Sequence, residues 1–190
     1  MVAASDYSHR FTPAEYLEWE EKQELRYEYV YGEVYAMTGG TLNHSKIAVN
    51  FIALVSNYLR GKRCQVFNSD AKVEVFNLDL FLYPDLSVTC DDRDRSNTKF
   101  LSYPCLIVEV LSSSTEAYDR GNKFALYRRS ASLKEYVLVS SEAIAVDIYR
   151  PNDRGKWELT AYEPGDVIEL ESINLKFAIE ELFEDITFAS

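Results

Sequence analysis

Two acidic residues of the sequence stand where a carboxylate is costly unless it has a partner or a function. Asp85 follows Pro84 and opens a strand-like segment at 86–90, and Glu109 lies inside segment 105–111, which is apolar on both strand faces. Burying a carboxylate costs several kcal/mol unless it is paired or binds a metal. A structural ion pair would explain Glu109 alone. If the two strands are neighbours, both carboxylates converge, and such oxygen ligands suit Mg²⁺ or Mn²⁺.

A lysine downstream of Glu109 could add a positive charge to the same place. Asp119 and Lys123 are four residues apart on a predicted helix over 115–129, so they share a face. A surface ion pair explains this spacing as well and is the stronger interpretation for Asp119. Lys123 could instead reach the carboxylates from a helix packed over the sheet. There it would hold an attacking water or stabilise charge developing on a phosphate.

Two further polar residues have a functional and a plain structural interpretation. Glu33 lies between Tyr31 and Tyr35 on one strand face, and is either a solvated strand residue or another acidic ligand. His44 lies near a predicted helix start, where it either contacts a phosphate or caps the helix. The sequence has no nucleophile elbow and no glycine-rich nucleotide-binding motif, which disfavours serine hydrolases and nucleotide-binding loops.

The elements that must position these residues follow from capping signals and periodicity. Thr12-Pro13-Ala14-Glu15 predicts a helix start, and Asn43 is the predicted cap of a helix with an apolar face that ends at Gly61. The remaining strands are predicted at 27–37, 65–76, 135–139, 145–149, 157–162 and 167–177, with a last short helix at 178–183.

These elements predict one α/β (α+β-like) domain. The apolar strand at 106–110, the following helix and the apolar strand at 136–139 form a buried β-α-β unit. We therefore expect a mixed β-sheet flanked by helices, with extra antiparallel strands near the C-terminus. A length of 190 residues fits a single domain, with its core at about 11–183 and a short N-terminal tail.

Composition excludes some functions and suggests a compartment. The net charge of −11 disfavours a protein held to DNA mainly by a broad basic surface. A basic face would then be local, with Lys72, Arg120, Lys123 and Arg128 as the candidates. The three cysteines are widely spaced and form no C-x-x-C motif, which indicates reduced thiols and a cytoplasmic protein. No targeting or membrane segment is visible.

Several short motifs together resemble one known family. The chain resembles the Uma family of restriction endonucleases, in the PD-(D/E)XK nuclease superfamily, which is abundant in cyanobacteria. The resemblance covers nearly the whole chain and includes Tyr127. It is carried by the segments Tyr27–Glu33, Tyr83–Leu86, Leu106–Ser112, Tyr118–Lys123 and Glu135–Val139.

The resemblance implies a restriction-endonuclease-like core and Mg²⁺-dependent hydrolysis of DNA, with Mn²⁺ as a possible substitute. Asp85 and Glu109 would bind the metal. Leu111 stands where the superfamily has its lysine, so Lys123 would supply that charge, and Glu33 would be the additional upstream acid. His44, Asp119 and Arg120 are candidate substrate-binding residues, and a homodimer would allow both DNA strands to be cut.

Two competing hypotheses stay open at this point. The first is a catalytically inactive protein that keeps the nuclease fold and binds nucleic acid or a protein, which the replacement of the usual lysine by Leu111 and the acidic composition would explain. The second is hydrolysis of another phosphate ester by the same carboxylates. Metal binding tests the first hypothesis, and a comparison of nucleotides with DNA as substrates tests the second.

Overall fold

A computed structural model describes residues 10–37, 39–75, 77 and 80–188, together with the backbone of residues 2 and 3. The predicted N-terminal tail therefore lies largely outside the described residues. None of the helices in the described part of the chain combines the length and apolar content that a membrane span requires.

Within the described residues the strands form three sheets. In chain order they are β1 (Val2–Ala3), β2 (Tyr27–Val30), β3 (Glu33–Ala36), β4 (Gln65–Asn68), β5 (Val73–Val75), β6 (Leu80–Leu82), β7 (Leu86–Thr89), β8 (Pro104–Leu111), β9 (Glu135–Ser140), β10 (Val146–Pro151), β11 (Trp157–Tyr162), β12 (Val167–Leu170) and β13 (Leu175–Ala178). The central six-stranded sheet has the order β11-β10-β9-β8-β7-β4, a second sheet has the order β1-β3-β2-β6-β5, and β12 pairs with β13.

Helices flank these sheets. They are α1 (Pro13–Glu20), α2 (Leu42–Leu59), α3 (Glu116–Tyr118) and α4 (Phe124–Tyr127), with a π-helical turn at Asp119–Lys123 between α3 and α4. Short 3₁₀ helices lie at Asp92–Ser96, Glu171–Ile173 and Ile179–Phe183. The predicted mixed α/β architecture with added antiparallel strands is confirmed.

The β-α-β unit is present as predicted. Strands β8 and β9 are parallel and β7 lies antiparallel on the other side of β8, with Leu86 opposite Val108. Strand β8 is buried along its whole length, because both faces of the central sheet are covered. Leu106, Val108 and Val110 pack in the larger core with α2, whereas Ile107 and Leu111 pack in a second core with α4. Glu109 lies between Ile107 and Leu111 and shares their strand face.

Three segments predicted as single strands are each divided in two. Residues 27–37 form the hairpin β2–β3, which reverses at Tyr31 (φ 49°) and Gly32 (φ 94°). Two successive residues with positive φ give a tight turn whose twist matches that of the flanking strands. Segments 65–76 and 167–177 are likewise divided, into β4 and β5 and into β12 and β13; Phe76 lies outside the described residues.

The predicted helix starts are correct in one case and shifted in the other. Thr12 caps α1 in a full capping box with Glu15, as predicted. In α2 the cap is Thr41, not Asn43: the Thr41 hydroxyl accepts a hydrogen bond from the His44 amide at 3.2 Å. Asn43 instead donates from its side chain to the Thr187 carbonyl at 3.0 Å.

The expectation of reduced thiols is wrong for two of the cysteines. Cys64 and Cys90 form a disulfide with an S–S distance of 1.96 Å. The cause is the register of β4 and β7, which places Gln65 opposite Thr89 and so brings the two flanking cysteines together. Cys105 is free and buried, and burial raises the pKa of its thiol to about 11.

Candidate active site

Strand register brings Asp85 and Glu109 together, as the sequence analysis anticipated. Asp85 immediately precedes β7, and Glu109 lies in the neighbouring strand β8. The Val110 amide donates a hydrogen bond to Asp85 Oδ2 at 2.7 Å, so the aspartate is tied to the residue next to Glu109. Both carboxylates line one cavity.

Lys123 adds a positive charge to this cavity and pairs with two of its carboxylates. Its Nζ lies 2.9 Å from Glu109 Oε1 and 3.2 Å from Glu28 Oε1, and it donates a hydrogen bond to the Tyr83 carbonyl at 3.3 Å. The lysine ends the π-helical turn that begins at Asp119. Single π-helical turns inside α-helices are frequent at functional sites. Both terminal residues of this turn are buried and line the cavity.

The cavity is small and acidic. Its volume is about 110 Å³, well below the several hundred Å³ of a pocket that holds a whole drug-sized ligand. It therefore has room for an ion, a few waters or one phosphate group, but not for a nucleoside. Its ionisable residues, other than tyrosines, are four carboxylates, one lysine and one histidine: Glu28, Asp85, Glu109, Asp119, Lys123 and His44.

Burial and the surplus of carboxylates set the charge states. Burial raises the pKa of Glu109 well above its usual range; Asp119 and Asp85 add to this rise, and Lys123 opposes it. Burial alone would lower the pKa of Lys123, but the carboxylates of Glu109 and Glu28 outweigh it and hold the pKa above its usual range. The lysine thus stays charged, while the cluster still carries excess negative charge that a divalent cation would neutralise.

The donor set fits a hard divalent metal ion such as Mg²⁺. Glu109 Oε1 is buried, and its close partner among the described residues is the Lys123 ammonium at 2.9 Å, with angles that are poor for a hydrogen bond. Among those residues no group of three or more His, Cys, Asp or Glu side chains is arranged as a complete metal site. Mg²⁺ is usually held by one or two carboxylates together with waters and substrate phosphate oxygens. Asp85 and Glu109 would be those two ligands.

His44 lies beside Asp85 at the cavity wall. Its Nε2 is 3.3 Å from Asp85 Oδ2, and its side chain is mostly buried. The hydrogen bond to Asp85 raises the pKa of His44, against the opposing effect of burial. The ring fits because residue 40 is glycine: a Cβ there would lie 2.7 Å from the imidazole. The interpretation of His44 as the helix cap is wrong, since Thr41 has that role.

Two candidate residues are placed elsewhere by the structure, whereas Asp119 lines the cavity. Glu33 is exposed, accepts a hydrogen bond from Tyr35 at 2.6 Å and pairs with Arg10 at 3.5 Å. Arg120 pairs with Glu116 and Asp147 and is not part of the cavity lining. The structure therefore does not bring Glu33 or Arg120 to the carboxylates.

The sequence analysis missed Glu28. This residue lies inside β2 and is buried, and its Oε1 accepts a hydrogen bond from the Tyr83 amide at 3.1 Å. Since Lys123 binds the Tyr83 carbonyl, Glu28 and Lys123 together hold the backbone that leads to Asp85. The sequence signal that could have identified Glu28 is the one used for Glu109: a carboxylate in the middle of a predicted strand.

The predicted local basic face is largely neutralised. Lys72 is buried and pairs with Glu20 at 2.6 Å, and Lys123 is buried in the cavity. Arg120 is bound to two carboxylates, which leaves Arg128 as the exposed member of the predicted set; it lies over the Phe124 ring. A nucleic acid would therefore need contacts other than these four side chains.

Comparisons with known proteins agree with the resemblance seen in the sequence. The model of the family Uma2, described as "Putative restriction endonuclease", matches residues 13–180. Two relatives from Synechocystis sp. (strain ATCC 27184 / PCC 6803 / Kazusa) are "Uncharacterized protein slr1290", 48% identical over 94% of each chain, and "Uncharacterized protein sll1609", 29% identical over 78% of this chain and 85% of the relative. A crystal structure described as a putative nuclease belonging to DUF820 from Anabaena variabilis ATCC 29413 superposes with a TM-score of 0.74 at 20% identity, covering 92% of this chain and 98% of the other.

Proposed function

Since the chain belongs to the Uma2 family, whose description is that of a restriction endonuclease, we propose that it is a metal-dependent endonuclease that hydrolyses phosphodiester bonds in DNA. The observation that carries this proposal is the pairing of β7 with β8, which brings Asp85 and Glu109 into one small cavity with Lys123. The DNA substrate and the metal requirement rest on this cluster together with the family.

Each residue of the cluster has a role in the proposed reaction. Asp85 and Glu109 hold the metal ion, which when bound would activate water and offset charge on the scissile phosphate. Lys123 keeps its proton and offers positive charge to the attacking water or to a phosphate oxygen. The lysine comes from the helix rather than from β8, where Leu111 is buried in the second core.

Neighbouring residues orient this cluster. Glu28 holds Lys123 and the Tyr83 amide, and His44 holds Asp85. Asp119, at the cavity wall, adds negative charge that favours a cation. Ligand carboxylates are commonly fixed by such hydrogen-bonding neighbours, and losing one typically costs about 10- to 100-fold in metal affinity or activity. We also propose that two copies of the chain assemble, since a two-fold axis would allow both strands to be cut.

The proposal is tested by metal-dependent cleavage of supercoiled, linear and single-stranded DNA. The parent protein is expected to cut with Mg²⁺ or Mn²⁺ and to stop when the metal is chelated, and Asp85→Asn and Glu109→Gln should each abolish cutting. Glu33→Gln is the matched control, because it makes the same change in a carboxylate outside the cavity. Equal cleavage by Asp85→Asn and the parent would refute the assignment.

A protein that keeps the fold without the activity gives a different result. Calorimetry would then show no Mn²⁺ binding that depends on Asp85 and Glu109, and none of the three DNA forms would be cut. Selective hydrolysis of nucleotides in place of DNA would favour the other phosphate-ester hypothesis.

A further inference from the structure

A groove next to the acidic cavity has a different lining. Its volume is about 580 Å³, and it lies between the start of α2 and the ends of β8 and β9. Ser112 lines both the groove and the cavity, so the two spaces lie side by side. The lining is mostly hydroxyl, amide and apolar: Thr41, Leu42, Asn43, Ser112, Ser113, Ser141, Glu142 and Phe188.

The start of α2 offers hydrogen-bond donors to this groove. Thr41 engages two amides of the first turn, accepting from His44 through its hydroxyl and from Ser45 through its carbonyl. The amides of Leu42 and Asn43 make no hydrogen bond within the described residues, as expected for the first turn of a helix. This turn contains no acidic residue. Free amides and the positive end of the helix dipole together favour an anion.

Ser141 is an independent indication of a ligand. The residue is only 6% exposed and lines the groove; its hydroxyl makes no hydrogen bond to the described residues and is not among their fully enclosed unpaired atoms, so it keeps some accessible surface. A hydroxyl can both donate and accept a hydrogen bond, so an accessible one in a mostly buried residue can bind a ligand oxygen. A ligand oxygen in the groove would supply the missing partner.

We propose that this groove binds a backbone phosphate of the DNA strand, next to the phosphate that is cut. The inference rests on the proposed function and adds a contact that does not depend on lysine or arginine. The acidic cavity admits one phosphate group, and the groove that shares Ser112 with it receives the neighbouring part of the same strand. Phosphate contacts by hydroxyls, backbone amides and helix N-termini are common in protein–DNA complexes.

Leu42→Glu tests the groove without disturbing the core. The Leu42 side chain is 89% exposed, and an acidic residue in the first turn favours the helix. The added charge would repel a phosphate, so we expect DNA to bind at least 10-fold more weakly, with an unchanged or higher melting temperature. Leu42→Gln controls for size, and Val49→Glu adds the same charge to an exposed position further along α2.

Two further variants should change the DNA affinity in opposite directions. Glu142→Gln removes the one acidic side chain of the groove lining and should tighten DNA binding, whereas Ser141→Ala removes the unpaired hydroxyl and should weaken it. Binding is measured by fluorescence anisotropy of a labelled oligonucleotide in a Glu109→Gln background, which prevents the DNA from being cut.

The outcomes separate this inference from the proposed function. Unchanged affinity in Leu42→Glu, beside a parent that binds and cuts DNA, would overturn the groove and leave the nuclease intact. A parent that binds DNA but cuts none would refute the nuclease. The DNA affinities of the variants would still test the groove. A parent that does not bind DNA would overturn both. Equal losses in Leu42→Glu and Val49→Glu would show a general effect of charge and would also overturn the groove.

Discussion

Two buried glutamates in neighbouring parallel strands of the central sheet differ sharply in their surroundings. Glu135 opens β9 and its oxygens accept hydrogen bonds from Arg150, from the Glu171 and Ser172 amides and from the Ser172 hydroxyl. Glu109 in β8 has its buried Oε1 beside the Lys123 ammonium at 2.9 Å, with angles that are poor for a hydrogen bond, and no backbone amide or hydroxyl of the described residues donates to it. A fully satisfied carboxylate stabilises the fold, whereas an incompletely satisfied one costs stability and is available to a ligand.

The largest difference between the two glutamates is expected in activity. Glu109→Gln removes a proposed metal ligand and should lower the rate of metal-dependent DNA cleavage at least about 100-fold. This loss is larger than the one usually seen when a residue that only hydrogen-bonds to a metal ligand is removed. Glu135→Gln should keep a rate close to that of the parent. Initial rates at saturating Mg²⁺ compare the two variants, and a similar loss in both would remove the distinction between them.

The effect on stability should have the opposite order. Glu135→Gln leaves Arg150 with only the more distant Glu171 carboxylate, at 3.7 Å, and weakens the hydrogen bonds that hold the 3₁₀ helix at Glu171–Ile173. We expect it to lower the free energy of unfolding by about 2 kcal/mol. Glu109→Gln should lower it less, because Lys123 keeps Glu28 as a partner. Urea denaturation in the absence of divalent metal measures both values.

A smaller effect is expected from the glycine beside His44. In Gly40→Ala the new Cβ would lie 2.7 Å from the imidazole, so the ring must move away from Asp85. We expect the activity and the Mn²⁺ affinity to fall about 10-fold. Gly39→Ala is the matched control, because a Cβ at that position meets no atom within 4 Å. Equal behaviour of the two variants would contradict a positioning role for His44.

The smallest effect is a dependence of stability on pH. Because burial raises the folded-state pKa of Glu109 above the value of 4.5 for the free side chain, the folded state binds more protons than the unfolded state above that pH. The contribution of Glu109 to stability is therefore present at low pH and is lost as the pH rises through the folded-state pKa. In metal-free buffer the stability of the parent, relative to Glu109→Gln, should fall as the pH rises from 5 to 8. A flat difference over this range would contradict the raised pKa.

Much of the site could be predicted because its signals are local. Asp85 after a proline, Glu109 inside an apolar strand and Lys123 on the next helix are each visible in a few residues of sequence, and so is the capping box at Thr12. The β-α-β unit followed from apolar periodicity, since a strand buried on both faces has few polar residues. The structure then brought Asp85, Glu109 and Lys123 into one cavity.

Other features depend on contacts between segments that are distant in sequence. The reversal at Tyr31 and Gly32 leaves Glu33 in solvent, whereas Glu28 is buried and reaches Lys123. The pairing of β4 with β7 creates the Cys64–Cys90 disulfide, and Lys72 is neutralised by Glu20 from α1. Residue types and local periodicity thus determined the type of most elements and three members of the site, Asp85, Glu109 and Lys123, but not the division of three strand segments or the role of Glu28. Only the tertiary structure decided which acids meet, because strand register and the pairing of buried charges are set by the packing of the whole chain.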